Sequence, residues 1–356
     1  MRTRRLLLLL AEWLVLLVLL EAAVRAVVAP QVDVPHLRVH AEGFYTWYPG
    51  SRFTYHNLPG VVPASAPVRI DAFGLRGDEV PMPKPPGERR VLVVGDSYTA
   101  AVQLPEERIF TTLLQRALEQ ARPGATYRVL NAGVNGAGTA EELLYFEHEG
   151  ATLTPDVVVL QYAFNDVDDT RRHGGFRLTA DGVALRDDLR QPPAWRAPLL
   201  ALRDALGNHS LAFYLLYRML TGSHPPAAAA AEAPHAAPSP AELAPDVRHD
   251  VDLVVRLAGQ LVRDANAIGA PVVLMTIPSP LYIQGGDPVY ERVVAGFGAL
   301  VAGTRNQLLV TDSILLAAHQ RGESAILAGD GHLGEDGHRL VAEALSAAVL
   351  RALSTS

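Results

Sequence analysis

Two apolar runs constrain this chain most. Residues 90–95 read RVLVVG and residues 157–162 read VVVLQY, without the apolar–polar alternation of a half-exposed strand. A strand that lacks that alternation is covered on both faces. Helical patterns separate such runs. Residues 109–120 place Leu113, Leu114 and Leu118 together, and 140–149 and 251–268 also read as helices. Further strands are expected at 127–131, 272–276 and 308–311. A last helix over 337–353 carries Leu340, Val341, Ala344, Leu345, Ala348 and Val349 on one face. Alternation of helices with buried strands predicts an α/β fold, a three-layer sandwich around a central parallel sheet spanning 89–355.

The remaining segments attach to that domain. Arg2, Arg4 and Arg5 precede an apolar stretch over 6–20 that is broken only by Glu12 and reaches Ala29 past Glu21 and Arg25. A helix of about 24 residues spans a bilayer core of about 30 Å. Residues 1–30 therefore read as an N-terminal transmembrane helix, with its basic end in the cytoplasm and the rest of the chain outside. A cleaved signal peptide is the competing reading, and Pro30 makes cleavage after Ala29 awkward. Residues 31–88 read as an extended lead-in with short strands. Within it, residues 71–76 (DAFGLR) either pack on the domain edge or form a simple turn at Gly74. Residues 167–250 read as a helical insertion. Its 198–221 part carries Leu211, Phe213, Leu216, Tyr217 and Leu220, a stripe of the kind that is usually core, with a lid or a membrane-facing role as the lesser reading. The Ala/Pro-rich stretch 223–245 cannot bury apolar area and is expected to be a disordered loop.

Composition removes several functions. The net charge of −7 leaves no basic excess to neutralise phosphates, so nucleic acid is not an expected partner. There is no cysteine, hence no disulfide, thiolate metal site or thiol nucleophile. The twelve histidines are scattered, with no His-Glu-x-x-His helix, and no metal or other cofactor is expected. Gly133, Gly136 and Gly138 have the wrong spacing for a dinucleotide loop and follow the second strand rather than the first.

In an open α/β sheet, reactive groups gather at the carboxyl ends of strands. Four blocks fall there in order. Gly95-Asp96-Ser97 follows the first strand and Asn131 to Thr139 the second. Ala163-Phe164-Asn165-Asp166 follows the third, and Asp330-Gly331-His332 lies near the C-terminus. Ser97 on a strand-to-helix turn is a candidate nucleophile, which needs a base within hydrogen-bond reach. His332 is the candidate base. Asp330 can accept its other ring N–H, since alternate residues of an extended loop point the same way. Asp96 reads as structural, bonding the backbone of the turn. The triplet Asp336-Gly337-His338 repeats Asp-Gly-His six residues on and offers a rival base; Asp336 reads as a helix cap and His338 as a first-turn residue. Gly-x-Ser-x-Gly is absent, which disfavours an α/β-hydrolase elbow.

The order of these blocks resembles the SGNH (GDSL-type) hydrolase superfamily over residues 89–355. The lead-in with Gly-Leu-Arg and the apolar N-terminus look like a membrane-anchored bacterial branch of it. The resemblance implies a flavodoxin-like fold and an extracytoplasmic serine esterase acting on O-acyl esters of a carbohydrate, lipid or envelope polymer. Its implied catalytic set is Ser97, Asp330 and His332. Its implied oxyanion donors are the Ser97 and Gly136 backbone N–H groups and the Asn165 amide. Two departures stand out: Ala163 replaces the usual glycine of the third block, and Asp330 and His332 are two residues apart rather than three. Two alternatives remain at this point. One is an O-acyltransferase that passes the same acyl group to a surface glycan. The other is a non-catalytic envelope binding protein.

Overall fold

The computed structural model describes residues 2–28, 34–221, 244–278 and 286–354. The chain starts with α1 (Arg2–Val28). The helix is present, but a membrane span is not shown. Among the described residues no helix is long and apolar enough to cross a membrane. Glu12, Glu21 and Arg25 interrupt the apolar run of its 11–28 part. The side chains that are described, such as Trp13, Leu14 and Leu17, are mostly exposed.

The lead-in holds two antiparallel pairs, β1 (Leu37–Val39) with β2 (Tyr45–Trp47), and β3 (Arg52–His56) with β4 (Ser65–Arg69). Residues 71–76 do pack on the domain. Asp71 Oδ1 accepts from the N–H groups of Phe73 and Leu75, at 2.8 Å each, around Gly74 at φ +78°. Arg76 N–H then donates to Asn131 O at 2.9 Å.

From there strands and helices alternate: β5 (Glu88–Gly95), α2 (Ser97–Ala100), α3 (Phe110–Ala121), β6 (Thr126–Gly133), α4 (Thr139–His148), β7 (Val157–Ala163) and α5 (Asp166–His173). The segment after α5 is not wholly helical. It opens with a hairpin of β8 (Phe176–Thr179) and β9 (Gly182–Leu185). Then come α6 (Asp187–Arg190), α7 (Arg196–His209) and α8 (Leu211–Thr221). The stripe over 198–221 is only partly core: Leu211 is buried, whereas Leu216 and Leu220 are exposed. The expected disordered loop falls outside the described residues except for its last two, and Pro245 already begins α9 (Pro245–Ala267). The chain ends with β10 (Val272–Ile277), α10 (Pro288–Val301), β11 (Gln307–Val310), α11 (Asp312–Gln320) and α12 (Glu335–Ser354).

The five strands form one parallel sheet in the order β11-β10-β7-β5-β6. Every residue of β7 and β10 is buried, as their uninterrupted apolar sequences require. Leu92, Val94, Val158, Leu160 and Leu274 pack with residues of α4, α9 and α10 on one face. Val91, Val93, Val159, Val273 and Met275 pack with α3, α11 and α12 on the other. Pairing register aligns Gly95 with Gly133 and Val94 with both Ala132 and Leu160. The turns after β5, β6 and β7 therefore leave the sheet side by side.

Two glycines allow that crowding. A Cβ on Gly95 would stand 2.4 Å from Gln161 Oε1, and one on Gly133 would stand 2.3 Å from Ala100 N. Backbone cannot yield as a flexible side chain does. Gly133→Ala should therefore lower unfolding stability by about 1–3 kcal/mol, the usual range for overpacking. A urea titration checks this, and an unchanged midpoint contradicts the packing argument.

Candidate active site

Ser97 lies where β5 gives way to α2, and it is buried. Asp96 caps the turn, its Oδ1 accepting from Tyr98 N–H at 2.9 Å. Helix α2 has only four residues and ends at Ala101 in the left-handed region, φ +47°. A helix this short carries little macrodipole. What the short turn supplies is a run of backbone N–H groups beside the hydroxyl.

His332 reaches Ser97 from a loop 235 residues away. Its Nε2 lies 2.8 Å from Ser97 Oγ and its Nδ1 lies 2.6 Å from Asp330 Oδ1. Asp330 Oδ1 also accepts from His332 N–H at 3.2 Å, so the two-residue spacing closes a tight local ring. Burial pushes the Asp330 carboxyl up, but hydrogen bonding and the charge of His332 pull it down further, below the usual carboxylate range. An ionised carboxylate only accepts, so Nδ1 carries the ring proton and Nε2 is left to accept from the serine hydroxyl.

Tyr98 fixes the histidine loop, a contact that nothing in the sequence pattern signals. Its hydroxyl donates to Gly331 O at 3.0 Å, and its ring centroid lies 4.8 Å from that of His332. Gly331 has φ +89°, which suits the residue between Asp330 and His332 to glycine.

His338 does not compete for the serine. It lies in the first turn of α12, fully buried, and its Nδ1 accepts from Phe110 N–H at 3.1 Å. Burial pushes its ring down to about 3. Asp336 lies within α12 rather than capping it, and its Oδ2 accepts from Ser324 N–H at 3.0 Å.

The other two turns pack against the residues just before Ser97. Val134 N–H donates to Gly95 O and Ala137 N–H donates to Val134 O, both at 3.1 Å, forming a tight turn with Gly136 at φ +77°. Trp47 Nε1–H holds Gly133 O at 2.8 Å from the lead-in. The Arg76 guanidinium donates to Ala100 O and, at 2.6 Å, to Leu104 O, pinning the far side of the serine turn. Neither Trp47 nor Arg76 is legible as a site residue, because both act across more than 20 positions.

Asn165 is the most constrained of the named side chains. Its Nδ2 donates to Asp96 Oδ2 at 3.1 Å and to Asp169 Oδ2 at 2.7 Å, and its Oδ1 is buried without a hydrogen-bond partner among the described residues. Arg172 meets Asp169 Oδ1 at 2.7 Å from its exposed guanidinium. Both amide hydrogens are thus held by carboxylates in the substrate-free site.

More buried carboxyls surround this group. Asp166 Oδ2 accepts from Thr139 Oγ1–H at 3.1 Å, and neither oxygen of Glu142 has a partner among the described residues. Burial, reinforced by their mutual repulsion, pushes Glu142 and Asp166 well above the usual carboxyl range. Burial likewise raises Glu141 to about 8. Among the described residues no group of three or more such side chains could hold a metal ion.

A buried hydroxyl hydrogen-bonded to an imidazole that a carboxylate orients can be deprotonated as it attacks a carbonyl. A family match agrees with that chemistry. The family described as GDSL-like lipase/acylhydrolase matches residues 93–340. Among solved structures, the acetyl xylan esterase AlAXEase is 18% identical, covering 73% of this chain and 99% of its own at a TM-score of 0.44. The acetylxylan esterase Axe2 from Geobacillus stearothermophilus is 16% identical over 74% of this chain and 94% of its own, at 0.43. A lipase/acylhydrolase from Enterococcus faecalis is 13% identical over 73% and 94%, at 0.42. No curated protein matches the chain.

The two histidines should separate by titration. In a proton–nitrogen NMR spectrum of the imidazoles, the His338 ring should stay neutral until the pH nears about 3. A midpoint near the ordinary histidine value of about 6.5 contradicts its burial.

Proposed function

The chain belongs to the GDSL-like lipase/acylhydrolase family, and we propose that it hydrolyses O-acyl esters of a carbohydrate, lipid or cell-envelope polymer through an acyl-enzyme on Ser97. The observation that carries this is the chain from Ser97 Oγ to His332 Nε2, at 2.8 Å, and from His332 Nδ1 to Asp330, at 2.6 Å.

The steps follow from those contacts. Ser97 Oγ attacks the ester carbonyl while its proton passes to His332 Nε2. Asp330 stabilises the imidazolium and does not itself take the proton. The tetrahedral oxyanion is met by the backbone N–H groups of Ser97 and Gly136, and the Asn165 amide joins them by turning one of its two N–H groups away from Asp96 or Asp169. The bond to the alkoxy oxygen then breaks, and that oxygen takes the proton from His332. Water repeats the sequence: it gives a proton to His332, attacks the acyl carbon, and releases the acid as Ser97 recovers its proton. Asp96 and Asp169 act through Asn165 and are positioning residues.

The place of action belongs to the same proposal. Arg2, Arg4 and Arg5 precede a leucine-rich helix whose described side chains, among them Leu8, Leu9 and Trp13, are exposed. Apolar side chains left open to water favour a lipid environment, and the basic end favours the cytoplasmic side. The domain then lies outside the cytoplasm, anchored by its N-terminus.

Turnover of p-nitrophenyl acetate and butyrate by the full chain tests the mechanism. Ser97→Ala and His332→Ala should each lower kcat/KM by at least about 10³-fold, while His338→Ala should keep the activity of whatever fraction folds. Full activity in either of the first two variants contradicts the proposal. Asp169→Asn should lower kcat about 10-fold and change KM less than about 3-fold, since it loosens an oxyanion donor. A rise in KM with kcat unchanged contradicts the positioning role of Asp169.

A further inference from the structure

Helix α7 is turned inside out. Trp195, just before it, and Leu199, Leu202 and Leu206 are spaced by four, three and four residues, which places all four on one stripe. They are exposed by 65%, 55%, 58% and 42%. The opposite side is polar and buried. Asp204 Oδ2 accepts from Val39 N–H at 2.7 Å, and Asn208 Nδ2 donates to Leu37 O at 2.8 Å. A helix facing water does the reverse. Helix α8 continues the open apolar surface, with Leu216, Met219 and Leu220 exposed.

The position of this surface says what covers it. Glu21 of α1 accepts from Ser210 Oγ–H at 2.8 Å and from the N–H groups of Leu211 and Ala212 at 2.9 and 3.1 Å. Arg25 donates to His209 O at 3.2 Å. Helix α1 thus meets the domain at the corner between α7 and α8. Its remaining turns extend away with exposed Leu14, Leu16 and Leu17, so the apolar surfaces of α1 and of the corner adjoin. Arg196 falls along one edge of the α7 stripe, where a long cationic side chain can reach anionic headgroups, while Arg203 beside it is held by Asp204 Oδ1. Trp195 stands at the start of the stripe, and tryptophan favours the membrane–water boundary.

We propose that the α7–α8 corner lies in the surface of a lipid bilayer as a second membrane contact beside α1. This rests on the membrane-bound reading above. The contact would set the orientation of the domain, holding it against the bilayer.

The chain's three tryptophans make the test direct. The full-length protein is reconstituted in vesicles of phosphatidylcholine and phosphatidylglycerol, with and without brominated phosphatidylcholine as quencher. Trp13→Phe leaves Trp195 and Trp47, and Trp47 is buried and serves as the unquenched reference. Trp195→Phe leaves Trp13 and Trp47. Quenching in the Trp13→Phe protein is expected. It should be roughly halved or more by Leu202→Glu with Leu206→Glu, while circular dichroism and turnover of a soluble ester stay unchanged. Quenching only in the Trp195→Phe protein overturns the inference and leaves the anchor standing. Quenching in neither removes the membrane reading, and the inference with it. A Leu202→Cys protein that cross-links to a second copy, with Trp195 unquenched, also overturns it, by assigning the stripe to pairing between chains.

Discussion

The parallel register of β5, β6 and β7 is the constraint on which the rest depends. It sets Gly95 beside Gly133 and brings the Ser97, Gly136 and Asn165 turns out of the sheet together. The missing Cβ of Gly133 lets its turn approach the Thr99–Ala100 backbone, and that of Gly95 leaves room for the Gln161 and Thr99 side chains. The register itself is secured by burial: a slip of one residue would move each strand's side chains to the opposite face of the sheet. Packing on both faces thus determines where a hydroxyl, a glycine N–H and an amide meet.

Electrostatics shapes the floor beneath them. Five buried carboxyls, Asp96, Glu141, Glu142, Asp166 and Asp169, crowd the elements that carry Asn165. Were all ionised, they would oppose an oxyanion above them. Burial raises Glu141, Glu142 and Asp166, with mutual repulsion adding to the effect at the last two, and favours their protonated forms. Asp169 is paired with the guanidinium of Arg172. The hydrogen bonds to Asp96 and Asp169 tie the Asn165 side chain to the serine turn and to α5.

The sheet was legible because buried parallel strands write themselves as unbroken apolar runs. Ser97, Asp330 and His332 were legible because each sits directly after a strand or in a short polar turn, and the structure joins them by hydrogen bonds. Tyr98, Trp47, Arg76, Asp169 and Arg172 were not. Their work lies in contacts with Gly331, Gly133, Ala100, Asn165 and Asp169, and no local period or spacing announces such contacts. The choice between His332 and His338 needed burial as well: the same Asp-Gly-His triplet packs under Phe110 in one case and faces the serine in the other. The 198–221 stripe misled for a related reason. Helical spacing marks an apolar face but not which way it turns, and α8 buries Leu211 while leaving Leu216 and Leu220 exposed. At the N-terminus the apolar pattern does specify a helix, while the acidic residues within it leave a bilayer crossing unshown.

The central claim is that an acyl group passes onto the Ser97 hydroxyl. Mass spectrometry of protein quenched during turnover of p-nitrophenyl acetate tests it most directly, with peptide mapping to place any added group. The account predicts one acetyl group on the peptide containing Ser97, and none in the Ser97→Ala protein. Acetyl on another residue, with turnover intact and Ser97 unmodified, would contradict it.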